Sequence, residues 1–184
     1  MNDILDYELI EHEETPFAEN LAVWIKHCLN PRNCIDIGCG PGMHVHALRS
    51  WGIEASGIEP DERAASEFIF NKSLFDLPGT NEMQADLVIC MEVAEHIEQS
   101  REDEVVQKVA ATVGKWLIWT AAVPGQGGVG HINCKPKEEW AAKLEQQGLT
   151  RIQRVENEII DHVKRGYYMG WFVNNILFFE KKGE

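Results

Sequence analysis

Long hydrophobic runs are missing from this chain. No stretch approaches the ~18 apolar residues that a membrane-spanning helix needs. The segment Met1-Asn2-Asp3-Ile4-Leu5-Asp6-Tyr7-Glu8 is acidic and lacks the charged-then-apolar pattern of a secretion signal. These absences predict a cytoplasmic protein that does not insert into membranes. Cysteine pairing is missing too: the five cysteines, Cys28, Cys34, Cys39, Cys90 and Cys134, form no Cys-x-x-Cys. An odd count argues against a disulfide framework, and the spacing argues against zinc. Cys34, Cys39 and Cys90 fall on or beside predicted strands, where a free thiol behaves as a small hydrophobe.

Positive charge is scarce, with 17 Lys and Arg against 30 Asp and Glu. Residues 1–104 carry 22 acids and 6 bases, whereas residues 105–184 carry 8 and 11. Most of this surface repels a polyanion, so nucleic acid is not an expected partner. Lys135, Lys137, Arg151, Arg154, Lys164 and Arg165 read as a solvated face. Repeats and low-complexity linkers are also absent. The 184 residues therefore read as one domain, 1–184, with an N-terminal arm and helix over 1–30 and a core over 31–184. That length buries a core without staples.

What is present centres on Cys34-Ile35-Asp36-Ile37-Gly38-Cys39-Gly40-Pro41-Gly42. Ile35 and Ile37 alternate with smaller or polar residues as in a short buried strand. The glycines then permit a tight turn into a helix over Met43–Ser50. The spacing is Gly-x-Gly-x-Gly, not the Gly-x-Gly-x-x-Gly of dinucleotide binders. A second strand, Ile53–Glu59, ends in an acid about twenty residues later, the position from which a carboxylate accepts from ribose hydroxyls.

Further elements follow in order. Residues 1–14 read as an irregular arm, and Thr15-Pro16 as a helix start, with Asn30-Pro31 ending that helix. Asp61–Glu67 reads as a helix, and Phe68–Asn71 as its end or as a third strand. Ala85–Cys90 has the unbroken apolar pattern of a buried parallel strand. Ligands bind beyond the carboxyl ends of such strands, which places Glu92, Glu95 and His96 near a reaction centre. A helix over Glu102–Val113 stops at Gly114, and Trp116–Thr120 is a fifth strand. The glycine-rich loop Ala121–Asn133 is long enough to be functional, and His131 and Asn133 give it polar groups. Pro136–Gln147 is a helix. Two strands lie near 149–152 and 175–179. Tyr167–Phe172 between them is either an aromatic wall of a substrate pocket or core packing. His44 and His46, two residues apart, cannot share a helical face and make no metal pair; they read as surface or cofactor-adjacent.

Asp36–Gly42, Glu59-Pro60, Ala85–Cys90 and Glu92-Val93-Ala94-Glu95-His96-Ile97 resemble, in order and spacing, the motifs of class I S-adenosylmethionine-dependent methyltransferases. The resemblance spans roughly residues 30–150. It implies a Rossmann-like, doubly wound α/β fold: a mostly parallel seven-stranded sheet with helices on both faces and the last strand antiparallel. It implies S-adenosyl-L-methionine as cofactor, held by Asp36, Gly38, Cys39, Gly40, Gly42, Glu59, Cys90 and Met91. The family's adenine-binding acid is replaced here by Ser73, so Ser73 or the Leu74 backbone is expected to serve instead.

By the same resemblance the chain is an enzyme that methylates oxygen on a small molecule or sugar. An alcohol is a poor nucleophile at neutral pH and gains from a general base, and histidine suits the task. His131 is the first candidate, His96 the second, with Glu92 beside them. No metal is expected. An alternative set, Glu92, Glu95, His96 and His131, is similar to the metal ligands of small-RNA 3′-terminal 2′-O-methyltransferases and would suit Mg²⁺ or Mn²⁺. Other rivals are a nucleotide-dependent oxidoreductase, which the glycine spacing disfavours, and a non-catalytic S-adenosylmethionine-binding protein.

Overall fold

A computed structural model describes residues 7–80 and 82–182. Seven strands form its sheet: β1 (Asn33–Ile37), β2 (Glu54–Glu59), β3 (Ile69–Asn71), β4 (Ala85–Met91), β5 (Val113–Thr120), β6 (Leu149–Arg151) and β7 (Leu177–Lys181). Their order is β3-β2-β1-β4-β5-β7-β6. β1, β2, β3, β4 and β5 pair in parallel, and β7 runs antiparallel between β5 and β6. The expected mixed sheet is therefore present, with its antiparallel strand last in sequence but second from the edge.

Six α-helices cover the two faces: α1 (Tyr7–Trp24), α2 (Met43–Ser50), α3 (Glu102–Thr112), α4 (Lys137–Gln146), α5 (Gln153–Arg165) and α6 (Gly170–Asn175). The period of two along each strand divides the apolar residues between two cores. Ile89, Ile118 and Phe178 point to one side, against Phe17, Leu21, Val45, Ile159 and Phe172. Val88, Cys90, Leu117, Trp119 and Phe179 point to the other, against Val105, Val109, Trp140 and Leu144. Among the described residues no helix is long and apolar enough to cross a membrane.

Several local expectations are corrected. α1 begins by Tyr7 and runs through Pro16, so residues 7–14 are helix; the first six residues of the expected arm lie outside the described residues. Proline removes only its own N–H from the helix ladder, and the Thr15 hydroxyl, read as an N-cap, instead donates to the Glu11 carbonyl at 2.6 Å. The burial of Phe17, Ala18, Leu21 and Ala22 holds the helix despite the proline. It ends in a π turn, Ile25–Leu29, closed by Asn30 at φ 46°. The helix expected over 61–67 shrinks to a 3₁₀ turn, Glu62–Ala64, capped by the Asp61 carboxylate, because the chain must extend again for β3.

Gly114 does not stop a helix; it lies inside β5. A Cβ there would sit 2.7 Å from the Ala85 carbonyl oxygen, so glycine lets β4 and β5 close where their register shifts. The chain after β4 is not helical from Glu92: Glu92 has φ 51° and only Ala94–His96 form a 3₁₀ turn. α5 fills the span between the last two strands, which had no assigned element, and α6 holds part of the aromatic segment.

The sheet edge rests on a buried ion pair. Glu156 of α5, 4% exposed, accepts from Arg151 Nε at 2.7 Å and Nη2 at 3.0 Å, and from the Phe178 N–H at 3.1 Å. Arg151→Met strands that carboxylate without its counter-charge. It is expected to cost about 3–5 kcal/mol, read as a lowered urea midpoint with unchanged m-value.

Candidate active site

The sheet reverses its direction of winding at β1, which lies between β2 and β4. Connections leave to opposite sides there and open a crevice beyond the carboxyl ends of the strands. A cleft of about 390 Å³ occupies that place, within the range of small-molecule sites.

One end of it is built by the glycine turn. Gly38, Gly40 and Gly42 all have positive φ. A Cβ at Gly38 would lie 2.5 Å from Val93 Cγ2, so the turn and the segment after β4 approach as closely as they do only because Gly38 is bare. The Gly40 N–H donates to Glu59 Oε2 at 3.0 Å, and the Asp61 N–H donates to Glu59 Oε1 at 3.1 Å. The Glu59 carboxylate is thus fixed at the rim, with lone pairs to spare. Asp36 is 3% exposed and its Oδ2 has no hydrogen-bond partner. Burial, and then the Glu59 charge, push its carboxyl up to about 8. Tyr7 of α1 covers this end, its phenol raised by burial and by Glu59. His44 lines the floor, and burial lowers its imidazole to about 4. It is buried on the cleft lining, not on the surface.

The other end carries Glu92, His96, Glu14 and Trp171. Glu92 Oε2 accepts from Gln126 Nε2 at 2.6 Å, and Oε1 accepts from Asn175 Nδ2 at 3.2 Å. His96 Nδ1 lies 3.2 Å from the Gly130 carbonyl oxygen. That acceptor places the proton on Nδ1 and leaves Nε2 with its lone pair. Burial, and then the neighbouring His131, lower the His96 pKa. The His96 and His131 rings meet edge to face at 5.0 Å. His131 Nε2 lies 3.9 Å from Glu95 Oε1. Glu95 is fully buried, and burial followed by Glu92 raises its carboxyl. The loop is pinned here: the Ile132 and Asn133 N–H groups both donate to the Glu95 carbonyl at 2.9 Å.

Asp36, Gly38, Cys39, Gly40, Glu59, Ser73, Leu74 and Met91 line the cleft, as do Glu92 and His96. Ser73 accepts from the Phe75 N–H and caps a short turn. Four expected residues do not line it. Gly42 is the N-cap of α2. Cys90 points into the core under α3 and α4 because side chains alternate along β4. Glu95 and His131 are also off the lining, whereas His96 is on it. Tyr167–Phe172 divides, with Trp171 on the cleft, Phe172 in the core and Tyr168 largely exposed.

Glu14 and Tyr7 escaped the sequence reading because Pro16 hid the first turns of α1; the recurrence of Tyr7, Ile10, Glu14 and Phe17 at helical spacing was the available signal. Gln126 and Asn175 carried no signal, since contacts 34 and 83 residues from Glu92 have no local pattern.

Comparison with known proteins agrees with this architecture. A family model described as "Methyltransferase domain" matches residues 9–154. No curated protein sequence matches significantly. Among solved structures, a SAM-dependent methyltransferase from Archaeoglobus fulgidus is 17% identical, with 96% of this chain and 100% of that one covered and a TM-score of 0.66. Magnesium protoporphyrin IX methyltransferase (ChlM) from Synechocystis PCC 6803 with bound SAH is 16% identical over 99% and 90%, TM-score 0.69. The sugar N-methyltransferase KedS8 from Streptoalloteichus sp ATCC 53650 is 14% identical over 100% and 96%, TM-score 0.64.

The chain belongs to the methyltransferase domain family.

The buried acids of the cleft set a pH dependence. Asp36 near 8 and Glu14 near 7 hold protons in the folded chain that the unfolded chain releases around pH 4–4.5. Stability from this source is full below that range and is lost as pH rises through the folded values. Urea midpoints of the ligand-free protein are expected to fall from pH 5.5 to 8.5; a rising midpoint would contradict the burial of these acids.

Proposed function

We propose that the chain is an S-adenosylmethionine-dependent methyltransferase acting as one domain on a small molecule, with oxygen as the methylated atom and His96 as general base. The observation that carries this reading is the joining of the glycine turn to Glu59 across a cleft of suitable size. The cleft fits the cofactor on its own chemistry. Glu59 has free lone pairs for two vicinal hydroxyls, and Asp36 offers a buried oxygen without a partner. Nothing on the lining is a Lys or Arg that would repel a sulfonium. Ser73 and Leu74 stand where the base would lie. When bound, S-adenosylmethionine supplies a methyl group already activated for displacement.

The protein's part is alignment and proton removal. Glu59 and the Gly38–Gly40 backbone fix the nucleoside end. Glu92, clamped by Gln126 and Asn175, fixes the polarity of the far end. His96 Nε2 takes the proton of the acceptor hydroxyl, and the Gly130 carbonyl steadies the resulting imidazolium through Nδ1–H. A small-molecule acceptor is supported by the size of the cleft and the acidic surface, and by the sugar and porphyrin named for two of the structural neighbours.

Calorimetry with S-adenosylhomocysteine tests the donor site: the wild type binds, and Glu59→Ala weakens binding by roughly 10- to 100-fold, as expected when charge-assisted hydrogen bonds are removed. Unaltered affinity in that variant would remove the assignment. In a screen of hydroxyl-bearing acceptors with labelled cofactor, His96→Ala should lower kcat by roughly 10²–10⁴. His131→Ala, acting one shell further out, should cost less.

A second reading is favoured by one observation. Donor atoms of Glu95, His96 and His131 all lie within 4.8 Å of one another, and the Glu95 oxygens and His131 Nδ1 are buried without partners. These residues would hold Mg²⁺ or Mn²⁺, which lowers the pKa of an acceptor hydroxyl. Glu92, part of the expected set, is not among these grouped donor atoms. Turnover abolished by EDTA and restored by Mn²⁺ would establish this reading; turnover indifferent to EDTA would eliminate it.

A further inference from the structure

The wall of the cleft around Glu92 restricts the kind of acceptor it admits. Glu92 is held rigidly: its N–H donates to the Thr120 carbonyl and hydroxyl oxygens, both at 3.1 Å, and its carboxylate accepts from Gln126 and Asn175. Asn175 Nδ2 also donates to Gln126 Oε1 at 2.8 Å, so β4, the glycine-rich loop and α6 meet on this one carboxylate. Glu14 of α1 lines the same cleft, and burial followed by the Glu92 charge raises it to about 7. Trp171 stands on the lining too, braced edge-on by Phe17 at 5.7 Å.

Asn175, which holds Glu92, is fully buried and its Oδ1 has no partner. Among the described residues, no Lys or Arg lines the cleft. An anionic group brought to this wall would add like charge beside Glu92 and the Glu14 carboxyl, with no cation on the lining to offset it. A cation with N–H donors matches both their charge and their lone pairs, and an indole face suits it further.

We propose that the acceptor is an amino alcohol whose protonated amine sits between Glu92 and Glu14 beside Trp171, with its hydroxyl turned to His96. Gln126 and Asn175 are positioning residues that hold Glu92 for that amine. This inference rests on the methyltransferase reading above.

The full-length protein, kept in EDTA so that no metal contributes, is first titrated with S-adenosylhomocysteine, which lacks the sulfonium charge. The loaded protein is then titrated by calorimetry at pH 7 with glucosamine, N-acetylglucosamine and glucose. Glucosamine is expected to bind roughly tenfold more tightly than either neutral sugar, and Glu92→Gln to abolish the preference. Glu14→Gln, on a separate element, should weaken it independently, so a folding defect in the first variant does not shelter the proposal. Binding of S-adenosylhomocysteine without preference for the amine, or a preference that survives both variants, overturns this proposal alone. Failure of the wild type to bind S-adenosylhomocysteine overturns the donor reading and this inference with it.

Discussion

The hydrogen bond from the Gly40 amide to the Glu59 carboxylate joins the two strand tips that frame the cleft. It is available because β1 and β2 are parallel neighbours in register, with Ile37 beside Ile58, so the turn after β1 arrives next to the last residue of β2. The adjacent Gly38 and Cys39 N–H groups donate to the Ile58 carbonyl, at 2.9 and 3.2 Å. The turn is therefore an extension of the sheet ladder, and its rigidity is inherited from the strands. Without that seam the nucleoside end of the cleft has no fixed acceptor.

Electrostatics divide the rest of the site. Acids crowd a space that burial has dried, and they cannot all be charged at once. Asp36, Glu14 and Glu95 are raised, whereas the Glu92 carboxylate is engaged by two amide donors. Raised acids of this kind follow from burial and from one another's charge. The loop after β5 reaches Glu92 through Gln126 and reaches the Glu95 carbonyl through its backbone, so the loop and the acidic wall hold one another in place.

Resemblance to solved structures at 14–17% identity speaks for the fold alone. The chemistry is argued from the residues that line the cleft and from the family to which the domain belongs. The two histidines show how far apart these levels are: both read as candidate bases in the sequence, and the structure puts His96 on the cleft lining with the His131 ring edge-on against it.

The sequence by itself determined the strand–turn–helix at Ile35–Ser50, the acid that ends β2, the buried β4, and the placement of His96 and Glu92 beyond it. These are local features: hydrophobic period, glycine conformation and short spacing act between residues close in the chain. Tertiary structure alone decided that α1 runs through Pro16 and brings Tyr7 and Glu14 over the cleft, because long-range burial of Phe17 and Leu21 outweighs one lost backbone hydrogen bond. It alone put Gly114 inside a strand and brought Gln126 and Asn175 to Glu92. Those outcomes depend on which elements become neighbours, and no local pattern encodes the approach of side chains so distant along the chain.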